Sequence, residues 1–150
     1  MKKFIQELDN IISEFNNQIN DNLIGMSYLE NLKYYLIDNI KKEKLDLSSL
    51  DHNILKKNSK NRELTINIEN FTESTSRIKN KLKNDCLSIV LKGSKIIEIL
   101  SKDKSISINL YTHNGITLPR NTVYSEKLIK DTLLLNIFNI EEINDASIEK

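Results

Sequence analysis

Proline, cysteine, glycine and histidine are scarce in this chain: Pro119, Cys86, three glycines and two histidines stand among 150 residues. Each shortage excludes something. A lone cysteine cannot close an internal disulfide, and it suits a reducing, cytoplasmic setting. Three widely separated glycines exclude a phosphate-cradling glycine loop. His52 lies in a polar stretch and His113 beside Asn114–Gly115, so both read as loop histidines. They give no readable Ser-His-Asp set and too few imidazoles for an ordinary zinc or non-haem iron site. No apolar run reaches the roughly 18 residues of a membrane span. The formal net charge of +1 favours no partner of either sign.

What is present describes an ordinary folded domain. Apolar residues make up 39% of the chain and charged residues 29%, a balance that buries a core and argues against disorder. The chain is rich in Ile, Asn and Lys, with Ala146 its only alanine, a bias of base composition rather than of chemistry. The opening MKKFIQELDNIISEF resembles a secretion signal, but Glu7, Asp9 and Glu14 interrupt any apolar segment.

Periodicity divides the chain. Phe4, Leu8, Ile11, Ile12, Phe15 and Ile19 recur at helical spacing, and Leu29, Leu32, Leu36 and Ile40 form a second stripe. Asn20–Asp21–Asn22 breaks the pattern, and Ser27 with Glu30 has the spacing of a capping box. Residues 1–44 therefore read as a helical hairpin. Residues 45–62 read as a polar, basic connector with one helical turn near Leu50–Leu55. From Glu63 the period becomes two. ELTINIEN sets Leu64, Ile66 and Ile68 against Thr65, Asn67 and Glu69, as in a half-buried strand. LSIVLKGSKIIEIL reads as two strands about a hairpin at Gly93, and SISINLY, GITL, TVYSEK and TLLLNIFN complete the set. Residues 141–150 form an acidic tail, read as a frayed helix. Short strands at intervals of roughly ten residues suggest a β-sandwich or barrel.

The stretch LPRNTVYS, followed by KDTLLLNIF, resembles the second conserved stretch of the cupin superfamily. That pattern carries a glycine, a proline, a small residue, a metal-binding histidine often followed by serine, and then an acidic residue, Ser or Thr, and an apolar strand. Gly115 stands closer to Pro119 than the pattern has it. Asn121 holds a glycine position and tolerates positive φ. Tyr124 holds the histidine position, while Ser125, Asp131 and Thr132 match. The first cupin stretch has a His-x-His pair, then a glutamate, then a glycine after a short spacer. Counting back from Gly93 places the glutamate at Cys86 and the histidines within residues 79–82, where the chain reads RIKNKLKNDC. The resemblance covers roughly residues 63–140. It implies a mainly β, α+β protein: an N-terminal helical hairpin followed by a cupin-like double-stranded β-helix, or jelly roll, without the usual metal ligands.

Candidate site residues follow from the same region. Arg77, Lys79, Lys81 and Lys83 occupy every second position, so strand alternation sets them on one face. Placed like the His-x-His pair, Lys79 and Lys81 would point into the barrel and meet a small carboxylate or phosphate without metal. In the other phase they face solvent and guard an edge strand. Tyr124 would add a hydrogen bond or a proton from within, or simply pack in the core. Arg77, Cys86 and His113 are weaker candidates. The connector lysines Lys41, Lys42, Lys44, Lys56, Lys57 and Lys60, with Arg62, have no interleaved aromatic for base stacking, so they read as a solvated linker and no nucleic acid is expected.

The expectation is a metal-independent binding or regulatory module, cofactor-free, cytoplasmic and, from the resemblance, homodimeric. The alternatives are an isomerase, lyase or dioxygenase with a non-standard site drawn from His52, Cys86, His113 and Tyr124, or an interaction module that works through its helices.

Overall fold

The structure is a computed structural model that describes residues 2–19, 25–50, 56–61 and 64–139. Helix α1 runs Lys2–Gln18 and α2 Gly25–Lys41. The expected stripes are the buried faces: Phe4, Leu8, Ile11, Ile12 and Phe15 from α1, and Leu29, Leu32, Leu36 and Ile40 from α2. The capping box at Ser27 does not form. The helix is already under way at Gly25, so Ser27 lies within its first turn, where its carbonyl accepts from Asn31. Glu30 turns instead toward the β-domain and accepts from the Thr117 hydroxyl. A 3-10 turn follows at Leu47–Ser49, a little earlier than expected, with Asp46 accepting from the Ser48 amide. The Asp46 amide donates to Glu7, which ties this turn to α1.

Nine strands follow among the described residues: β1 Lys56–Asn61, β2 Leu64–Phe71, β3 Thr75–Lys81, β4 Asp85–Lys92, β5 Ser94–Leu100, β6 Ser105–Tyr111, β7 Gly115–Leu118, β8 Val123–Leu128 and β9 Thr132–Asn139. They form a five-stranded sheet in the order β1-β2-β9-β4-β7 and a four-stranded sheet in the order β3-β8-β5-β6. All their pairings are antiparallel. The stretch read as a connector thus supplies β1, which pairs with β2 from Lys56↔Glu69 to Asn61↔Leu64. Its polar sequence carries no alternation that would have marked it as a strand. Residues 51–55, with His52, residues 62–63 and the acidic tail lie outside the described residues.

Two cores result. The outer face of the larger sheet presents Leu64, Ile66, Ile68, Leu87, Ile89, Leu91, Leu133, Leu135 and Ile137 to the two helices. Its inner face and the smaller sheet enclose Cys86, Val90, Ile97, Leu110, Leu118, Leu128 and Leu134. Strands β4 and β9 are buried on both faces, which is why they read as nearly continuous apolar runs. Strand β2 is covered twice as well, so Asn67 and Glu69 face the barrel interior and not solvent, contrary to its reading as a half-buried strand. Each fully buried leucine or isoleucine contributes about 1.5–3 kcal/mol.

Gly93 has the positive φ expected of it, 98°, but for another reason. β4 and β5 belong to different sheets, so Gly93 turns a corner between layers rather than a hairpin. A Cβ there would stand 2.6 Å from Thr132 Oγ1, the hydroxyl that donates to the Ser94 carbonyl. Asn121, at φ 71°, turns the corner after Pro119 as its side chain permits.

Candidate functional site

The inner faces of the two sheets bring charged side chains together. On β8, Glu126 lies in phase with Leu128, and on β5, Lys95 lies in phase with Ile97. Lys95 Nζ is 2.9 Å from Glu126 Oε2 and donates to Ser88 Oγ on β4 at 2.9 Å. From β3, Arg77 reaches Glu126 Oε1 at 2.8 Å. The same guanidinium donates through Nη1 and Nη2 to the two oxygens of Glu69 on β2, at 3.3 and 3.2 Å. Asn136 on β9 donates to Glu69 at 3.3 Å. Lys95 and Glu126 are each only 3% exposed. Arg77 and Lys95 balance Glu69 and Glu126, so the cluster is neutral overall, the condition under which buried charges are tolerated.

A cavity of about 110 Å³ adjoins this cluster, lined by Asn67, Arg77, Cys86, Tyr124 and Phe138 among others. Two buried polar atoms on its wall have no hydrogen-bond partner among the described residues, Asn67 Oδ1 and Arg77 Nε. Burial pushes the Cys86 thiol up to about 12, so it is a thiol and not a nucleophilic thiolate at neutral pH. Burial, followed by the charge of Glu126, raises the Tyr124 phenol to about 12 as well. Tyr124 is therefore a proton donor and not a base. For Arg77 burial opposes the charged form, yet Glu126 and Glu69 outweigh it and raise its pKa.

The basic row does not share one face. A β-bulge separates Arg77 from Asn80 in the pairing of β3 with β8, and Lys79 takes a left-handed φ of 52°. Beyond the bulge the phase changes. Arg77 points inward, whereas Lys79, Lys81 and Lys83 are exposed. Of the two phases open to Lys79 and Lys81, the structure has the solvent-facing one, and the bulge is the reason Arg77 does not follow them. Tyr124 and Cys86 do stand in the interior, at the places the motif spacing assigns to the cupin histidine and glutamate. His113 is elsewhere. It sits in the turn between β6 and β7 and lines an open cavity of about 570 Å³ with Ile40, Lys41, Glu43, Leu45, Asp46 and Leu47. It shares no site with Tyr124 or Cys86. Among the described residues no three of His, Cys, Asp and Glu converge as a metal site, and no helix is long and apolar enough to cross a membrane.

Glu69, Lys95 and Glu126 were not anticipated. The signal for two of them is their phase: each stands two residues from a buried aliphatic on its own strand, Lys95 before Ile97 and Glu126 before Leu128.

No family profile and no curated protein matches this chain. Solved structures do. A cupin superfamily protein from Desulfitobacterium hafniense DCB-2 aligns over 58% of this chain and 77% of its own, with 17% identity and a TM-score of 0.50. KdgF from Halomonas sp. aligns over 59% and 81%, with 14% identity and a TM-score of 0.49. The chain spans 42% of an oxalate oxidase, with 14% identity and a TM-score of 0.46. The agreement with the Desulfitobacterium protein, together with two facing antiparallel sheets, shows the fold: a helical hairpin packed against a cupin-like β-barrel.

Proposed function

We propose that this chain is a metal-independent binding or regulatory module whose barrel holds a small, neutral, polar molecule. The observation that carries the reading is the compensated cluster of Arg77, Lys95, Glu69 and Glu126. Both carboxylates already have cationic partners, so a divalent ion would bring uncompensated charge against a buried, already balanced cluster. The same balance disfavours the anion that the basic row suggested. With Lys79 and Lys81 outside and the two inner cations neutralised, an entering carboxylate has no spare positive charge to meet. A neutral molecule with one acceptor and one donor suits the unpartnered Arg77 Nε and Asn67 Oδ1. A cavity of 150 Å³ holds benzene, so 110 Å³ suits about four or five heavy atoms. Ligand-efficiency limits then set the affinity no tighter than a few micromolar, about −6 to −7.5 kcal/mol.

Thermal denaturation with millimolar acetamide, and with acetate as its charged counterpart, tests this. Acetamide is expected to raise the Tm of the native protein and not that of Asn67→Ala, and acetate to leave both unchanged. Stabilisation by acetate alone, or by neither compound, overturns the reading. Stoichiometric metal in the purified protein overturns it also and favours the enzymatic alternative. The homodimer belongs to the same proposal and is decided by light scattering.

A further inference from the structure

The interior contains one strong latent nucleophile, the amine of Lys95. It is 3% exposed and held between Ser88 Oγ and Glu126 Oε2, both at 2.9 Å. It borders the same cavity as the Tyr124 side chain. Structural pairing alone would account for a buried lysine beside a glutamate. What distinguishes this pair is the way its charges are shared. Arg77 binds Glu69 through two nitrogens as well as binding Glu126. If the proton of Lys95 passes to Glu126, Arg77 keeps a full partner in Glu69, and the cluster is neutral before and after the transfer. The usual obstacle to freeing a buried lysine, a stranded counter-charge, is therefore absent.

We propose that Lys95 binds small neutral aldehydes covalently and reversibly, as an imine, with Glu126 as the proton acceptor and donor and Tyr124 as a second donor. The proposal rests on the reading of the interior as a ligand cavity. The Lys95 ammonium passes a proton to Glu126 Oε2. The freed Nζ lone pair attacks the carbonyl carbon as Glu126 returns its proton to the carbonyl oxygen, and the resulting secondary ammonium gives a proton back to the Glu126 carboxylate, leaving a neutral carbinolamine with its nitrogen lone pair free. Glu126 or Tyr124 protonates that hydroxyl, the C–O bond breaks and water leaves, while the nitrogen lone pair forms the C=N bond. Hydrolysis reverses each step, and no oxidant or reductant is consumed. The cavity limits the aldehyde to about four or five heavy atoms, and its charge balance favours a neutral one.

Glycolaldehyde, with four heavy atoms and one hydroxyl, is the probe. The native protein is treated with limiting glycolaldehyde and cyanoborohydride, and the modified lysines are mapped by peptide mass spectrometry. Lys95 is expected to be modified about tenfold or more faster than the exposed Lys79 and Lys81, a modest share of what general acid–base assistance supplies. Glu126→Gln keeps a hydrogen bond to Lys95 but cannot take its proton, and Lys95 labelling is expected to fall below that of the surface lysines. Carbon NMR with the aldehyde carbon isotopically labelled is expected to show an imine resonance that is missing in Lys95→Arg, independently of whether the reductant enters. Surface labelling with Lys95 untouched and no imine resonance overturns the proposal. If acetamide still stabilises the protein in that case, the cavity reading stands and only the covalent step is wrong. If acetamide does nothing either, both fall.

Discussion

The two cores of this protein lie on opposite faces of one sheet and are built on different principles. Between the helices and the five-stranded sheet the contacts are mainly apolar, with the Thr117–Glu30 hydrogen bond beside them: Phe4, Leu8, Leu36, Ile66, Ile89 and Leu135 interdigitate, each at most 1% exposed. Inside the barrel a charged cluster stands at the centre and aliphatics surround it. The outer core tolerates any apolar set of the right volume. The inner one depends on particular partners at particular distances, since each charge is tolerable only while its counterpart is present. Stability and specificity are thus assigned to different layers.

The largest expected effect breaks the inner core. Glu126→Ala strands Lys95 and should cost about 3–5 kcal/mol in urea denaturation. Replacing Lys95 and Glu126 together by Met leaves Arg77 on Glu69 and should cost clearly less than the single change. A double variant as damaged as the single one would mean that shape, not charge, governs this layer. Next comes the outer core. Leu36→Ala should lose about 3 kcal/mol by cavity formation and leave acetamide binding intact. A loss of binding would show that the two layers are coupled. At the corner between sheets, Gly93→Ala should cost about 2 kcal/mol from its left-handed φ and the approach to Thr132. The smallest effect, read over the single unit from pH 9 to pH 10, is alkaline. The Cys86 thiol is raised from 9.0 to about 12 in the folded state, so the unfolded chain binds fewer protons in that interval. The stability is intact below pH 9 and falls by about 1.4 kcal/mol per pH unit above it. Tyr124 adds to the fall from pH 10. Cys86→Ala should flatten the slope between pH 9 and 10, measured by urea titration at each pH.

The helices and the turns could be read from the chain because their causes are local. The spacing of Phe4, Leu8 and Phe15 specifies a helix face without reference to the rest of the molecule. The left-handed corners at Gly93 and Asn121 follow from what those residue types permit. Tyr124 and Cys86 were found through motif spacing. The charged cluster was not legible, because its members are dispersed. Lys95 and Glu126 are 31 positions apart and Glu69 is 67 from Asn136, and only the sheet order brings them together. A lone lysine or glutamate on a strand ordinarily means solvent. Strict alternation put Arg77, Lys79 and Lys81 on one face without saying which, and the bulge after Arg77 splits them, Arg77 inward and the lysines outward.

The pairing of β2 with β9, from Leu64↔Asn139 to Phe71↔Thr132, has a consequence for how the chain is made. On a ribosome the helices emerge before the sheet, with their leucines and phenylalanines uncovered. The sheet that covers them is completed only when its central strand, among the last residues described, has been released. Until then the nascent chain presents an apolar ledge with no wall to rest on, the condition in which chaperones engage unfinished proteins. Closure is therefore late and non-local, and such topologies fold slowly.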